Sequence, residues 1–71
     1  MFTLHVPRII QSTPVTHTYQ CSTLAECMQT LIGLYSTSAW VIGPDGERYD
    51  LVDYDDPDDH DYIIQKFERV N

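Results

Sequence analysis

Seventy-one residues make one domain with room for only a thin core. A hydrophobic share of 42% with five Tyr, two Phe and one Trp marks a globular chain, because a disordered one carries fewer aromatic and β-branched residues. Eleven acidic residues against four Lys and Arg give a formal charge of −7, which excludes phosphate backbones and anionic membrane surfaces as natural partners and leaves basic proteins and cations.

Residues 2–10 begin with alternation. Phe2, Leu4 and Val6 share one face against Thr3 and His5, a strand pattern that Pro7 weakens toward an edge or a bulge. Gln11-Ser12-Thr13-Pro14 reads as a turn. Val15 to Cys21 alternates again, with Val15, His17, Tyr19 and Cys21 opposite Thr16, Thr18 and Gln20, so the first two strands form a hairpin. A helix follows. Thr23-Leu24-Ala25-Glu26 fits a capping box, with Ser22 as a competing cap, and Leu24, Cys27 or Met28, Leu31, and Leu34 or Tyr35 form one apolar stripe. Gly33 in its last turns costs roughly 1 kcal/mol relative to Ala and suggests a close backbone approach. Ser36-Thr37-Ser38 ends the helix.

A second hairpin comes next. Ala39 to Ile42 favours a strand, Gly43-Pro44-Asp45-Gly46 supplies the turn, and Glu47 to Tyr54 returns with Tyr49 and Leu51 opposite Arg48, Asp50 and Val52. Asp55 to Asp61 reads as a loop containing Pro57. Tyr62 to Val70 is open between two readings. Ile63, Phe67 and Val70 fit a helix stripe, with Lys66 and Arg69 late as the macrodipole prefers, yet the Tyr, Ile, Phe and Val content leans to a strand. The expected fold class is therefore α+β in two layers: an antiparallel sheet of β-β-α-β-β order plus a C-terminal strand or helix, with one helix on one face. The other sheet face, bearing Tyr and Trp, is left uncovered as a contact surface or a homodimer interface.

Most of the charge sits in one stretch. Seven of the twelve residues from Asp50 to Asp61 are aspartates: Asp50, Asp53, Asp55, Asp56, Asp58, Asp59 and Asp61. No Lys or Arg lies between Arg48 and Lys66. Such a run repels itself, stays in water and attracts cations or basic surfaces. Tyr54 and Tyr62 flank it and offer rigid contact area at low entropy cost. A row of carboxylates resembles a phosphate edge and suits a Lys/Arg-rich groove made for nucleic acid, so these nine residues are the candidate partner-binding site. The bland alternative is that the run only keeps a small protein in solution.

Other chemistry finds little to stand on. An EF-hand register starting at Asp53 puts Pro57 at position 5, Asp58 at 6 and Ile64 at 12, and one starting at Asp56 puts Phe67 at 12, so at most weak divalent binding by Asp55, Asp56, Asp58 and Asp59 is expected. His5 and His17 on neighbouring strands would begin a zinc site without a third ligand, and His60 lies among the aspartates. Cys21 and Cys27, in a C-x5-C spacing that matches no zinc or redox motif, read as reduced, packed thiols that would point to different sides if both began one helix. No nucleophile elbow, phosphate loop or Cys-His signature is present, and carboxylates in a polar run lack the apolar surroundings that separate two pKa values, so neither an enzyme nor a cofactor is expected. Met1 to Pro7 has no leader pattern, and no segment approaches the ~18 apolar residues of a membrane span, which places the expected site of action in the cytoplasm.

Taken together, the strand Val15–Cys21, the helix Ser22–Ser36, the hairpin Trp40-Val41-Ile42-Gly43-Pro44-Asp45-Gly46-Glu47-Arg48-Tyr49 and the acidic stretch resemble the layout of small inhibitors made by phages and other mobile elements, including anti-CRISPR proteins. Those proteins share no sequence signature, so no functional residue carries over by motif. The resemblance implies a non-enzymatic inhibitor that blocks the DNA-binding or nuclease surface of a CRISPR effector. The other readings are a structural or assembly module that dimerises through the open sheet face around Trp40, and a weak cation binder.

Overall fold

The computed structural model of the chain describes residues 1–36 and 38–70. It is a small α+β domain of five antiparallel strands and one helix: β1 (Phe2–Ile10), β2 (Thr13–Cys21), α1 (Leu24–Gly33), β3 (Trp40–Ile42), β4 (Arg48–Asp56) and β5 (Asp59–Val70). The sheet order is β2-β1-β3-β4-β5. The C-terminal segment is a strand: its run of Tyr, Ile, Phe and Val gains a ladder against β4, which a helix would leave bare along that flank.

Alternation decides which side chains meet. Phe2, Leu4 and Val6 stand opposite Cys21, Tyr19 and His17 on β2, and Leu4 also faces Val41, which faces Tyr49. These side chains point toward α1. The core they make is thin: Leu4, Val6, Cys21, Cys27, Leu31, Ala39 and Val41, with Phe2, Tyr19, Leu24, Met28, Leu34, Tyr49, Leu51 and Phe67 packed around it. The opposite face carries Thr3, His5, Trp40, Ile42, Arg48, Asp50, Val52, Tyr54, Ile64, Lys66 and Glu68, and no described element covers it.

The helix starts where its cap predicts. The amide of Glu26 donates to Thr23 Oγ1 at 3.1 Å, and Thr23 rather than Ser22 is the N-cap. Only this half of the expected box is present among the described hydrogen bonds. The helix stops at Gly33, earlier than Ser36-Thr37-Ser38, because Tyr35 turns left-handed at φ 53°; Thr37 lies outside the described residues. Gly33 itself faces open space, with nothing within 4 Å of where a Cβ would stand, so the expected close backbone approach does not occur there.

The first two hairpins use their turn chemistry. Gln11 and Ser12 take φ 50° and 65°, a primed turn whose twist matches the flanking strands, and Pro14 falls inside β2, at the start of an edge strand. In the second turn Gly46 takes φ 84°, and its amide donates to Gly43 O at 3.0 Å. Pro7 fits within β1 without a bulge because β3 pairs with β1 only over Thr3–His5, so one flank of the strand is already free at Pro7.

That short β3 shapes the molecule. It spans only Trp40–Ile42, pairing with Thr3–His5 on one side and Arg48–Asp50 on the other. β1 and β4 run in the same direction past its Trp40 end, so the β1–β2 and β4–β5 hairpins continue as two arms on the same side. The radius of gyration of 13.0 Å exceeds the ~11 Å of a compact chain of this length, as projecting arms require.

Candidate functional site

The acidic stretch forms the end of the β4–β5 arm. The expected loop Asp55–Asp61 shrinks to the two-residue turn Pro57-Asp58. Two of the aspartates build the turn themselves. Asp56 Oδ1 accepts the amide of Asp58 at 2.9 Å, and Asp59 Oδ1 accepts the amide of Asp61 at 3.1 Å. Such Asx contacts let a short polar side chain stand in for a backbone acceptor. The ladder shifts between Asp55 and Asp56: Asp55 pairs with Ile63 but Asp56 with Asp59, which leaves His60, Asp61 and Tyr62 without one-to-one partners and bows the end of the arm.

The pleat divides the nine candidate residues. Asp53 and Asp55 share the helix-bearing face, opposite Gln65 and Ile63, and Gln65 Nε2 donates to Asp53 Oδ1 at 3.2 Å. Asp50 and Tyr54 lie on the open face. Asp56, Asp58, Asp59 and Asp61 crown the tip between them. Tyr54 Oη donates to Glu68 Oε1 across the strands, and this bond, with smaller contributions from desolvation and the Glu68 charge, raises the Tyr54 phenol above its ordinary range. Tyr62 is on the helix side, where it borders Met28 and Ile32. The structure thus brings Asp53 and Asp55 together on one face, gathers four carboxylates at the tip, and sets Tyr54 and Tyr62 on opposite sides of the arm.

Charge compensation stops at the base of the arm. Among the described residues the one salt bridge is Arg48 Nε to Asp50 Oδ1 at 2.8 Å, between half-exposed side chains. Lys66 Nζ lies 5.8 Å from the Tyr54 ring centroid rather than on a carboxylate. Apart from the Gln65 amide on Asp53, the acids from Asp53 to Asp61 face water and the turn amides, and their mutual repulsion is screened over ~8–10 Å at physiological salt.

The open face holds a second cluster. His5 stacks on Trp40 with ring centroids 5.2 Å apart and planes 4° from parallel, and Arg48 lies 5.3 Å from the Trp40 centroid. The sequence placed Trp40 on this face, but not the His5 and Arg48 that sandwich it; cross-strand register, which joins His5 to Trp40 and Ile42 to Arg48, supplies the missing link. His17 is on the opposite face from His5, so the two do not form half of a zinc site. Among the described residues no three of His, Cys, Asp or Glu are placed to hold a metal ion.

A third feature escaped the sequence. Met28 and Ile32 of α1, with Tyr62, Ile63, Ile64 and Gln65 of β5, border an open groove of about 340 Å³. The signal for it was present: Ile32 lies off the helix stripe, and the doublet Ile63-Ile64 places one side chain on each face of a strand. Cys21 and Cys27 are free and buried, and they meet in the core because Cys21 ends β2 rather than starting the helix. Burial, and then contact with Cys21, pushes the Cys27 thiol up to about 12. No described helix is long and apolar enough to cross a membrane. No protein family, curated protein or solved structure matches this chain.

Proposed function

We propose that this chain is a non-enzymatic binding protein whose acidic β4–β5 arm occupies a basic, nucleic-acid-binding surface on another protein. The observation that carries the reading is the position of the charge. Six aspartates from Asp53 to Asp61 sit at the far end of an arm that projects beyond the core, with no cation among them. The strand holds Asp53 and Asp55 about 6.6 Å apart on one face, close to a phosphate repeat, the tip gathers the other four, and long-range attraction steers them to Lys/Arg-rich grooves. A CRISPR effector is one protein with such a surface, and an anti-CRISPR-type inhibitor is the form of the reading that the chain's layout suggests.

The test is a pull-down from bacterial lysate with tagged wild-type protein beside the variant Asp55→Lys/Asp58→Lys. The expected result is a nucleic-acid-handling protein captured by the wild type alone and released by added duplex DNA. Equal capture by both proteins, or capture of nothing, reduces the acidic arm to a solubility feature.

A second reading draws on the open face. The stacked, half-buried His5 and Trp40 with the exposed Arg48 beside them form a patch suited to a second copy of the chain in a structural or assembly module. Sedimentation at micromolar concentration separates the two, since a monomer removes the dimer reading.

A further inference from the structure

The groove between α1 and β5 adds an apolar component to a surface so far described only by charge. Its walls are Met28 and Ile32 on the helix and Tyr62 and Ile63 on the strand. Ile32 and Ile63 are 63% and 58% exposed, so the groove presents aliphatic surface to water. β5, which borders the groove, is the outer strand of the sheet, so its other edge pairs with no described strand.

Its electrostatic surroundings are one-sided. Asp55 is the cross-strand partner of Ile63, and Asp53 is the partner of Gln65, so both carboxylates share the face that the groove opens onto. Asp59 and Asp61 precede the groove residues along β5 itself. The nearest cations in sequence are Lys66, which is drawn to the Tyr54 ring on the other face, and Arg69, further along the strand. The other apolar recess, between Pro7, Ile9, Pro14 and Val15 on the β1–β2 arm, carries Arg8 and no acid, and nothing there selects an occupant.

We infer that the groove receives an extended basic segment of the partner protein, a bulky apolar residue seated between Ile32 and Ile63 and flanking Lys or Arg side chains on Asp53, Asp55, Asp59 and Asp61. This inference rests on the proposed function and narrows it: the acidic arm recognises a basic–apolar peptide rather than a purely electrostatic surface. An extended segment fits the site because it pairs with the β5 edge while every second side chain enters the groove. The apolar anchor supplies affinity that salt does not screen, and the carboxylates supply orientation and rate.

The probe is a fluorescein-labelled lysine octapeptide with a single central Leu, compared by anisotropy with the same peptide carrying Ser there. Each is titrated with wild type, with Ile32→Ser/Ile63→Ser and with Asp55→Lys/Asp58→Lys. The wild type should prefer the Leu peptide by about tenfold, as burial of one aliphatic side chain predicts. The Ile variant should lose that preference while holding the Ser peptide as the wild type does, and amide shifts on binding should concentrate at 28–32 and 62–65. Equal binding of both peptides to the wild type, or a Leu preference that survives in the Ile variant, overturns the groove while leaving the acidic reading in place. If neither peptide distinguishes the wild type from the Asp variant, both fall. Self-association of the free protein that is lost in the Ile variant makes the occupant a second copy and overturns the inference as well.

Discussion

The two arms leave the same three-residue strand in the same direction, yet they are built by different means. The β1–β2 arm is tied into the core at its base by Leu4, Val6 and Cys21 and ends in an apolar tip, with Ile9 79% exposed. The β4–β5 arm contributes Tyr49, Leu51 and Phe67 near its base, and from Asp53 outward it has no fully buried side chain. The first arm is anchored by packing at its base, although from Pro7 to Gln20 it too has no fully buried side chain. The other is a ladder of backbone hydrogen bonds held by β-forming residues, with an Asx-built turn at its end. Positions that carry no packing are free to carry charge, and the chain spends its aspartates there.

The sharpest way to break this contrast is to truncate an aliphatic side chain in each region. Leu31 is fully buried under the sheet, and Leu31→Ala should cost about 2–5 kcal/mol, most of the stability of a domain this small. Ile63→Ala on the acidic arm should cost less than about 1 kcal/mol, because Ile63 is already more than half exposed. Urea unfolding followed by Trp40 fluorescence measures both. Similar losses for the two variants would mean that the arm is part of the cooperative core.

The next effect is confined to alkaline pH. Burial raises the Cys27 thiol from 9.0 to about 12, so the folded protein holds that proton where the unfolded chain releases it. The stabilising contribution is fully present below pH 9, and it is lost as pH rises toward 12. Denaturation midpoints taken from pH 7 to 11 should fall above pH 9, and Cys27→Ala should flatten that fall while lowering stability at pH 7. Alkylation at pH 8 should proceed only at the rate of unfolding, since both thiols are buried. Rapid labelling of native protein would contradict the packing of this core.

Smaller still are the changes at the helix end. Tyr35 holds a left-handed φ of 53° while 94% exposed, a conformation that costs a non-Gly residue about 1 kcal/mol. Tyr35→Gly should raise stability by about that amount, and so should Gly33→Ala, whose Cβ meets open space. A loss of stability in Tyr35→Gly would show that the tyrosine makes contacts that its exposure conceals.

The alternation of Phe2-Leu4-Val6 and Val15-His17-Tyr19-Cys21, the Thr23 cap and the Pro44-Gly46 turn were legible because each depends on neighbours in sequence. The features that were not legible depend on pairing. Asp55 to Asp61 reads as a loop until β4 and β5 register against each other and leave only Pro57-Asp58 outside. The position of Gly33 looks like a close approach until the helix is seen to end in open space. At the candidate site, the period of two puts Asp53 and Asp55 on one face only once pairing extends β4 past Tyr54 to include Asp55. The division of Tyr54 from Tyr62 was hidden, because the ladder shift inserts three residues and breaks the parity that would have joined them.

The smallest expected effect on stability is also the one that separates the arms most cleanly. Asp55→Lys/Asp58→Lys changes the formal charge from −7 to −3, since each replacement adds two units. Both side chains are exposed, and the hydrogen bond at the turn uses the Asp58 amide rather than its carboxylate, so the turn survives. Relief of repulsion among Asp53, Asp56, Asp59 and Asp61 offsets whatever the ladder loses, and the stability should stay within about 0.5 kcal/mol of wild type. Binding to a basic partner should nevertheless collapse, because the two new cations sit in the middle of the carboxylate row. A variant that folds as well as the wild type and no longer binds places recognition on an arm that the fold does not need. A variant that loses more than about 1 kcal/mol ties the aspartates to the ladder itself, and the contrast between an arm anchored by packing and an arm free to carry charge then fails.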